Sequence, residues 1–419
     1  MRRCLRILFA IALLSGLASP VHAQLKAGPG DWPGWRGADR TGVSPETGLL
    51  KEWPRDGPPL VWKATGLGNG FSTPSVANGR IYLLGGKSNE EYVICLDAKD
   101  GKEVWSTKIG GQARVRYSGT RSTPTIDGDL TFALSSEGDL ACLETATGKV
   151  KWTKSYRKDF GGSHGTWAYA ESPLVDGDLL IGTPGGSRAT IVALKKTTGE
   201  EVWHTSLSGT AAYSSAIVAE VGGIKQYIQF LSPPNGVVGV NAKDGKVLWR
   251  YTKSSPQSRG TTITTPVFAD GYVFTASGYS TGGGMVKLTA DGDKVTAREV
   301  YFSKTMDNHH GGIVKVGDAL FGTNNSTLVC LDFKSGEKKW SDRCVGKGSI
   351  AAADGMLYVR GENGSIALVE ATPSGYKEKG RFSQPDRSSE KAWPHPVIAG
   401  GRLYIRDQGI LLCYAVKAM

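Results

Sequence analysis

Glu171, Asp307, His309 and His310 are the residues of this chain whose types could move a proton or hold a cation, while Arg121 and Arg259 could grip an anion. A carboxylate can ligate a divalent cation or act as a base beside an imidazole. A guanidinium holds an oxyanion through charge-assisted hydrogen bonds. Trp167 and Trp393 add flat faces on which a ring can stack. Asn69, Arg116, His164, Tyr213, Asn308, Asp386, Arg387 and His395 complete the set. Neighbouring residues on a strand point to opposite faces, so only one of His309 and His310 can face a shared site.

These side chains lie far apart in the chain, so the fold must gather them. Its signature is a repeat. A polar turn leading into a strand that ends in tryptophan recurs as AKDGKEVW (98–105), TATGKVKW (145–152), KTTGEEVW (196–203), AKDGKVLW (242–249) and FKSGEKKW (333–340). Glycine stands four residues before tryptophan in each copy. The interval is 46–51 residues, except for one double gap in which the copy is degenerate near Asp291-Gly292 and Val300-Tyr301. Ahead of each copy comes a short strand, an Asp-Gly or Asn-Gly pair and a second strand, as in STPSVANGRIY (72–82), STPTIDGDLTF (122–132) and TPVFADGYVF (265–274). Such pairs suit two-residue hairpins because glycine tolerates positive φ. A third strand follows, as in YVICLDA (92–98) and TLVCLDF (327–333).

Each unit is thus a four-stranded antiparallel blade that must stack on its neighbours to bury both faces. The first element occurs eight times, whereas the eighth unit stops at its third strand near Tyr414. The missing strand is supplied by PPLVW (58–62), so an N-terminal strand closes the ring and leaves no free edge between the chain ends. The expectation is an all-β, eight-bladed propeller over 58–419, with 24–57 as a segment packed on it. Loops entering the first strand of each blade gather on one face around the central channel, and the residues named above fall in those loops. Two readings stay open there: a ligand site, or polar groups that bond to one another and to water.

The repeat resembles the pyrroloquinoline-quinone-type propeller family, whose signature is Ala-x-Asp-x-x-Thr-Gly-Lys-x-x-Trp. The resemblance covers about residues 58–416, and DWPGWRG (31–37) is similar to the start of many exported members. It implies that Trp62, Trp105, Trp152, Trp203, Trp249 and Trp340 lock each blade onto the next. The family includes quinoprotein dehydrogenases, which use the quinone and Ca²⁺, and non-enzymatic scaffolds such as a subunit of the outer-membrane barrel-assembly machinery. It also includes proteins similar to polyvinyl-alcohol dehydrogenase. Alcohol-oxidising members cover the quinone with a disulfide between adjacent cysteines, and no two cysteines are adjacent here. The expectation is therefore a non-catalytic binding or assembly scaffold with no cofactor. It would take a protein or an envelope polymer on its loop face. The alternative is an alcohol or sugar dehydrogenase using the quinone and Ca²⁺, with Glu171, Asp307 and His310 as catalytic groups. On either reading the ligand-binding candidates are Arg121, Trp167, Glu171, Arg259, Asn308, His310, Trp393 and His395.

Composition agrees with this reading. Fifty-seven glycines, 11 tryptophans and 39% hydrophobic residues in 419 exclude disorder and point to short strands and tight turns. Arg2, Arg3 and Arg6, an apolar stretch over 7–17 and Val21-His22-Ala23 read as a secretory signal cleaved near Ala23. A periplasmic or secreted, monomeric protein without a membrane span is expected. Cleavage lowers the formal net charge from +11 to about +8, spread without a basic stripe, so nucleic acid is not an expected partner. Cys95, Cys142, Cys330 and Cys413 recur at one blade position and read as buried hydrophobes; a Cys330–Cys344 bridge is left open. Gly282-Gly283-Gly284 reads as a loop.

Overall fold

The computed structural model describes residues 25, 27–256, 262–310 and 312–418. Arg259 and the leader expected over 1–23 lie outside these residues. Strands joined by tight turns dominate, and among the described residues the one α-helix is the five-residue Tyr156–Phe160. No helix there is long and apolar enough to cross a membrane.

Eight sheets form a ring, each with four antiparallel strands, paired in chain order in seven of them. The first blade runs Ser75–Ala77, Arg80–Lys87, Glu90–Asp97 and Glu103–Gly111. Its Asn78-Gly79 hairpin holds φ at 53° and 70°, the left-handed pair that matches strand twist. The inner three strands are almost wholly buried, whereas the outermost alternates exposed and half-buried. Apolar clusters therefore lie between neighbouring sheets, as where Phe132 and Cys142 of the second blade share a core with Leu180 and Val192 of the third. Each such aliphatic side chain contributes about 1.5–3 kcal/mol on burial. The ring closes as the repeat count implies: Leu60–Ala64 pairs antiparallel with Ile410–Ala415, Leu60 opposite Tyr414 and Ala64 opposite Leu411.

Tryptophans at the outer strands reach across the blade seams. Trp62 covers Gly101 of the first blade, where a Cβ would come within 2.7 Å of the ring, and its indole N–H donates to the Ala98 carbonyl. Trp105, Trp152 and Trp203 cover Gly148, Gly199 and Gly245 in the same way. Trp340 instead donates to the Thr372 carbonyl of the seventh blade. The fourth and fifth blades depart from the repeat. Trp249 donates to Gln226 of its own blade, 2.6 Å away, and Tyr301 stands over Gly336 in the tryptophan's place. Gly282, Gly283 and Gly284, expected as a loop, open the strand Gly282–Asp291; a Cβ on Gly284 would strike the Tyr251 hydroxyl, so bare backbone is what lets this strand pack. All five described cysteines are free thiols, so Cys330 and Cys344 are not bridged.

The segment ahead of the ring occupies the channel. Trp32 exchanges backbone hydrogen bonds with Val76 of the first blade, and the Pro33 carbonyl accepts from Ile126 of the second. Arg40 donates to Ser172 and Pro173 beside the third blade and to Ala216 beside the fourth. Trp35 donates to Thr265 at the fifth, and Arg36 to the Ile313 carbonyl of the sixth. Val43–Ser44 adds a parallel fifth strand to Gly348–Ala353 of the seventh, and Glu46 accepts from Gly401 of the eighth. Residues 31–46 thus bond to every blade. The backbone contacts fall near the far ends of the inner strands, opposite the loops, which leaves the channel blind at that end.

Candidate functional site

On the loop face the channel opens into a cup of about 350 Å³. The loop between the first and second blades supplies Arg116, Tyr117 and Arg121; the next two loops add Trp167 and Tyr213. His309 and His310 enter ahead of the sixth blade, Lys347 ahead of the seventh, and Lys391 and Trp393 ahead of the eighth. Two further residues come from turns inside blades. Tyr279 lies between strands Tyr272–Ser277 and Gly282–Asp291, and Glu362 between Met356–Gly361 and Ser365–Glu370.

The aromatic wall is continuous. Trp393 packs 4.5 Å from Phe71 and 4.9 Å from Tyr117, and Tyr117 lies 5.6 Å from Trp167. The Trp167 backbone N–H donates to the Tyr213 hydroxyl. Tyr279 stands edge-on to His309 at 4.7 Å. Tyr279 and Ser280 both hold positive φ, 56° and 63°, with no glycine in the pair. Such a left-handed residue costs on the order of 1–3 kcal/mol and persists only where its surroundings hold it.

Charge at the cup is unbalanced. Glu362 is the one carboxylate in the lining among the described residues, and its neighbours already engage it. The His310 Nε2–H and the Trp393 indole N–H both donate to Glu362 Oε1, at 2.6 and 2.8 Å. Lys347 and Lys391 stand 3.7 and 3.6 Å from the same carboxyl group. Burial raises the acid's pKa, but the His310 and Trp393 hydrogen bonds and the Lys347 charge outweigh it, so Glu362 stays ionised. Burial lowers the pKa of His310 despite Glu362, and pushes His309 down to about 3 with help from His310 and Lys347. Both imidazoles are thus neutral near pH 7, and neither His309 nitrogen has a hydrogen-bond partner among the described residues.

Arg121 differs from the lysines. Its guanidinium donates to the Gly119 and Tyr117 carbonyls and lies 5.5 Å over the Phe71 ring, and no carboxylate forms an ion pair with it among the described residues. Burial lowers its pKa to about 10, opposed by Glu91 and Tyr213. Glu91 is itself pushed up to about 7 by burial against hydrogen bonds from Ser136, so it is a half-charged counterion near neutrality.

Of the residues picked out in the sequence, the cup brings together Arg116, Arg121, Trp167, Tyr213, His309, His310 and Trp393; both histidines line it, against the expectation of one, because 309–310 is a bend and strand alternation does not apply. The others stand elsewhere. Glu171 faces away from the cup: it accepts from the Tyr156 hydroxyl at 2.7 Å and from the Thr183 N–H at 2.5 Å, because a buried carboxylate needs such donors. Asn308 donates to the Thr323 carbonyl at 2.8 Å, and Asp307 accepts from Asn325 at 3.3 Å. His395 is buried deeper in the channel, 4.6 Å from Trp35, with Nε2 3.2 Å from the His310 carbonyl oxygen. His164 Nδ1 bonds to the Gly165 carbonyl, Asn69 bridges to Gly86, Asp386 pairs with Lys63, and Arg387 donates to the Glu390 carbonyl. Glu171, Asp307 and His310 therefore form no common centre. Tyr117, Tyr279, Lys347, Glu362 and Lys391 are the aromatic and charged lining residues that the sequence reading did not name.

A Ca²⁺–quinone pair does not fit this lining. Calcium takes six to eight oxygen ligands. Among the described residues the cup offers one carboxylate, already met by two ring N–H groups and two lysines. No cluster of three metal-ligating side chains exists among the described residues.

A family profile described as outer membrane protein assembly factor BamB matches residues 25–121 and 89–342. Tetrathionate hydrolase of Acidithiobacillus ferrooxidans is 24% identical, over 93% of this chain and 83% of that protein. Outer membrane protein assembly factor BamB of Yersinia pestis is 21% identical, over 64% of this chain and 68% of that protein. Among solved structures, quinohemoprotein alcohol dehydrogenase from Comamonas testosteroni superposes with a TM-score of 0.51 at 14% identity, covering 93% of this chain and 80% of that one. That likeness is one of fold.

Proposed function

The chain belongs to the outer membrane protein assembly factor BamB family, and from that membership we propose that it is an exported, non-catalytic scaffold that binds its partner at the loop-face cup. The observation that carries this reading is the state of Glu362. The one acid in the lining is tied by His310 and Trp393 and flanked by two lysines, so it is not available as a base or a metal ligand. The remaining groups, Arg121 and the aromatic wall, suit binding. The leader-like residues 1–23 and the relatives' roles in outer-membrane assembly support export. Incubating the protein with pyrroloquinoline quinone and Ca²⁺ tests the reading: no dye reduction with alcohols or sugars is expected, and turnover lost in Glu362→Gln would replace the scaffold with a dehydrogenase.

A second reading has one specific support. Tetrathionate hydrolase aligns with nearly the whole chain, and a cationic cup suits a small dianion. Release of thiosulfate or sulfate from tetrathionate would favour it; an unchanged substrate removes it.

A further inference from the structure

We infer that the cup receives an acidic segment of a polypeptide partner, with a carboxylate on Arg121 and a neighbouring aromatic side chain among Trp167, Tyr117 and Trp393. This rests on the scaffold reading and names the partner's chemistry. Arg121 is a half-buried cation whose protein contacts are two carbonyls and one ring face; it forms no ion pair among the described residues, and Glu91 acts on it only as a half-charged counterion. Desolvating an unpaired charge is costly, so the site is complete only when an anion arrives.

The other cations set the shape of that anion. Arg116 and Lys391 stand at the exposed rim, and Lys347 is half-buried between rim and wall. Positive charge therefore continues outward from Arg121, as a chain with more than one acidic residue requires. The plug formed by residues 31–46 makes the channel blind, so whatever binds must enter by a side group while its remainder lies across the loops. About 350 Å³ is at the lower end of ligand pockets, which suits one aromatic side chain and a carboxylate. Tyr279, about half exposed and held by the left-handed Tyr279-Ser280 turn, stands at the mouth on the side facing His309, where it can close over the entering ring.

The test uses fluorescence anisotropy with three labelled heptapeptides, Gly-Gly-Asp-Phe-Asp-Gly-Gly and its Asn-Phe-Asn and Asp-Ala-Asp counterparts. The Asp-Phe-Asp probe is expected to bind about tenfold or more tightly than either counterpart, with affinity falling as salt rises. Arg121→Gln should weaken it by about tenfold or more, while Arg121→Lys, which keeps the charge but loses the planar fork, should weaken it less. Thermal unfolding shows whether each variant is folded; should Arg121→Gln unfold, the comparison of peptides on the unaltered protein decides. Equal binding of the acidic and amide peptides overturns the inference. So does tight binding of tetrathionate, or of the quinone with Ca²⁺, by a protein that ignores all three peptides. Failure here without dye reduction or tetrathionate hydrolysis sinks the acidic-segment inference alone, whereas either activity sinks the scaffold reading as well.

Discussion

Arg40→Ala should unfasten the plug. Its guanidinium is buried, 4% exposed, and donates to Ser172 and Ala216 carbonyls at 3.0 Å and to Pro173, joining the third and fourth blades through one side chain. A hydrogen bond to a charged group contributes about 1.5–3 kcal/mol, so three amount to about 5–9. Burial works against the cation, lowering its pKa to about 10, partly offset by Glu171. That lowering corresponds to about 3 kcal/mol of desolvation, leaving a net loss of about 2–6 kcal/mol on truncation. At about 2 cal/mol/K per residue over roughly 390 residues, each kcal/mol moves Tm by about 1 °C. Differential scanning calorimetry should therefore show Tm lower by about 2–6 °C. Arg40→Lys should lose about half as much, because an ammonium is a point charge that cannot fork to both blades. Lys246→Ala, at an exposed turn, should stay within about 0.5 kcal/mol. An Arg40→Ala protein melting within 1 °C of the parent, on the order of experimental error, would refute the claim that the segment ties the ring from inside.

Three other outcomes follow from the same geometry. Gly101→Ala should cost about 1–3 kcal/mol more than Gly79→Ala in denaturant unfolding, since both hold positive φ but only Gly101 meets the Trp62 ring; equal losses would remove the seam contact. Folded Glu91 has its pKa raised to about 7, so between about 4.3 and 7 the unfolded chain ionises first and stability falls as pH rises. The difference in unfolding free energy between Glu91→Gln and the parent should therefore grow by up to about 3 kcal/mol across that window and level off above it; a flat difference contradicts the burial argument. Cys95, Cys142, Cys330 and Cys413, whose burial pushes their thiols to about 11–12, should resist a thiol reagent until the protein unfolds, while the less buried Cys344 reacts first.

The ring was legible because its cause is local and repeated: a hairpin pair such as Asn78-Gly79 and a tryptophan that needs a glycine opposite it in the next blade. Where packing replaced the motif, the pattern misled. Trp249 shares the tryptophan register yet turns to Gln226, because the following blade offers no glycine there and Tyr301 fills the next seam. The cup was half legible. Loops entering first strands could be found, and they placed Arg121, Trp167, His310 and Trp393. In an antiparallel blade the turn between the second and third strands returns to the same face, which is how Tyr279 and Glu362 arrive, and applying that rule would have found both. Lys347 and Lys391 lie in entering loops and were passed over as ordinary surface charge. Glu171 was misplaced because spacing shows which loop a residue occupies and not which donors it turns towards; here Tyr156 and Thr183 draw it into the blade. The course of 31–46 through the channel had no periodic signal at all, since its bonds are one or a few irregular contacts to each of eight different sheets.

A structure of the protein in complex with the Asp-Phe-Asp peptide tests the central claim most directly. The account requires a peptide carboxylate on Arg121 and the phenyl ring among Trp167, Tyr117 and Trp393. A peptide seated on an outer strand such as Leu60–Ala64, with the cup empty, would contradict it.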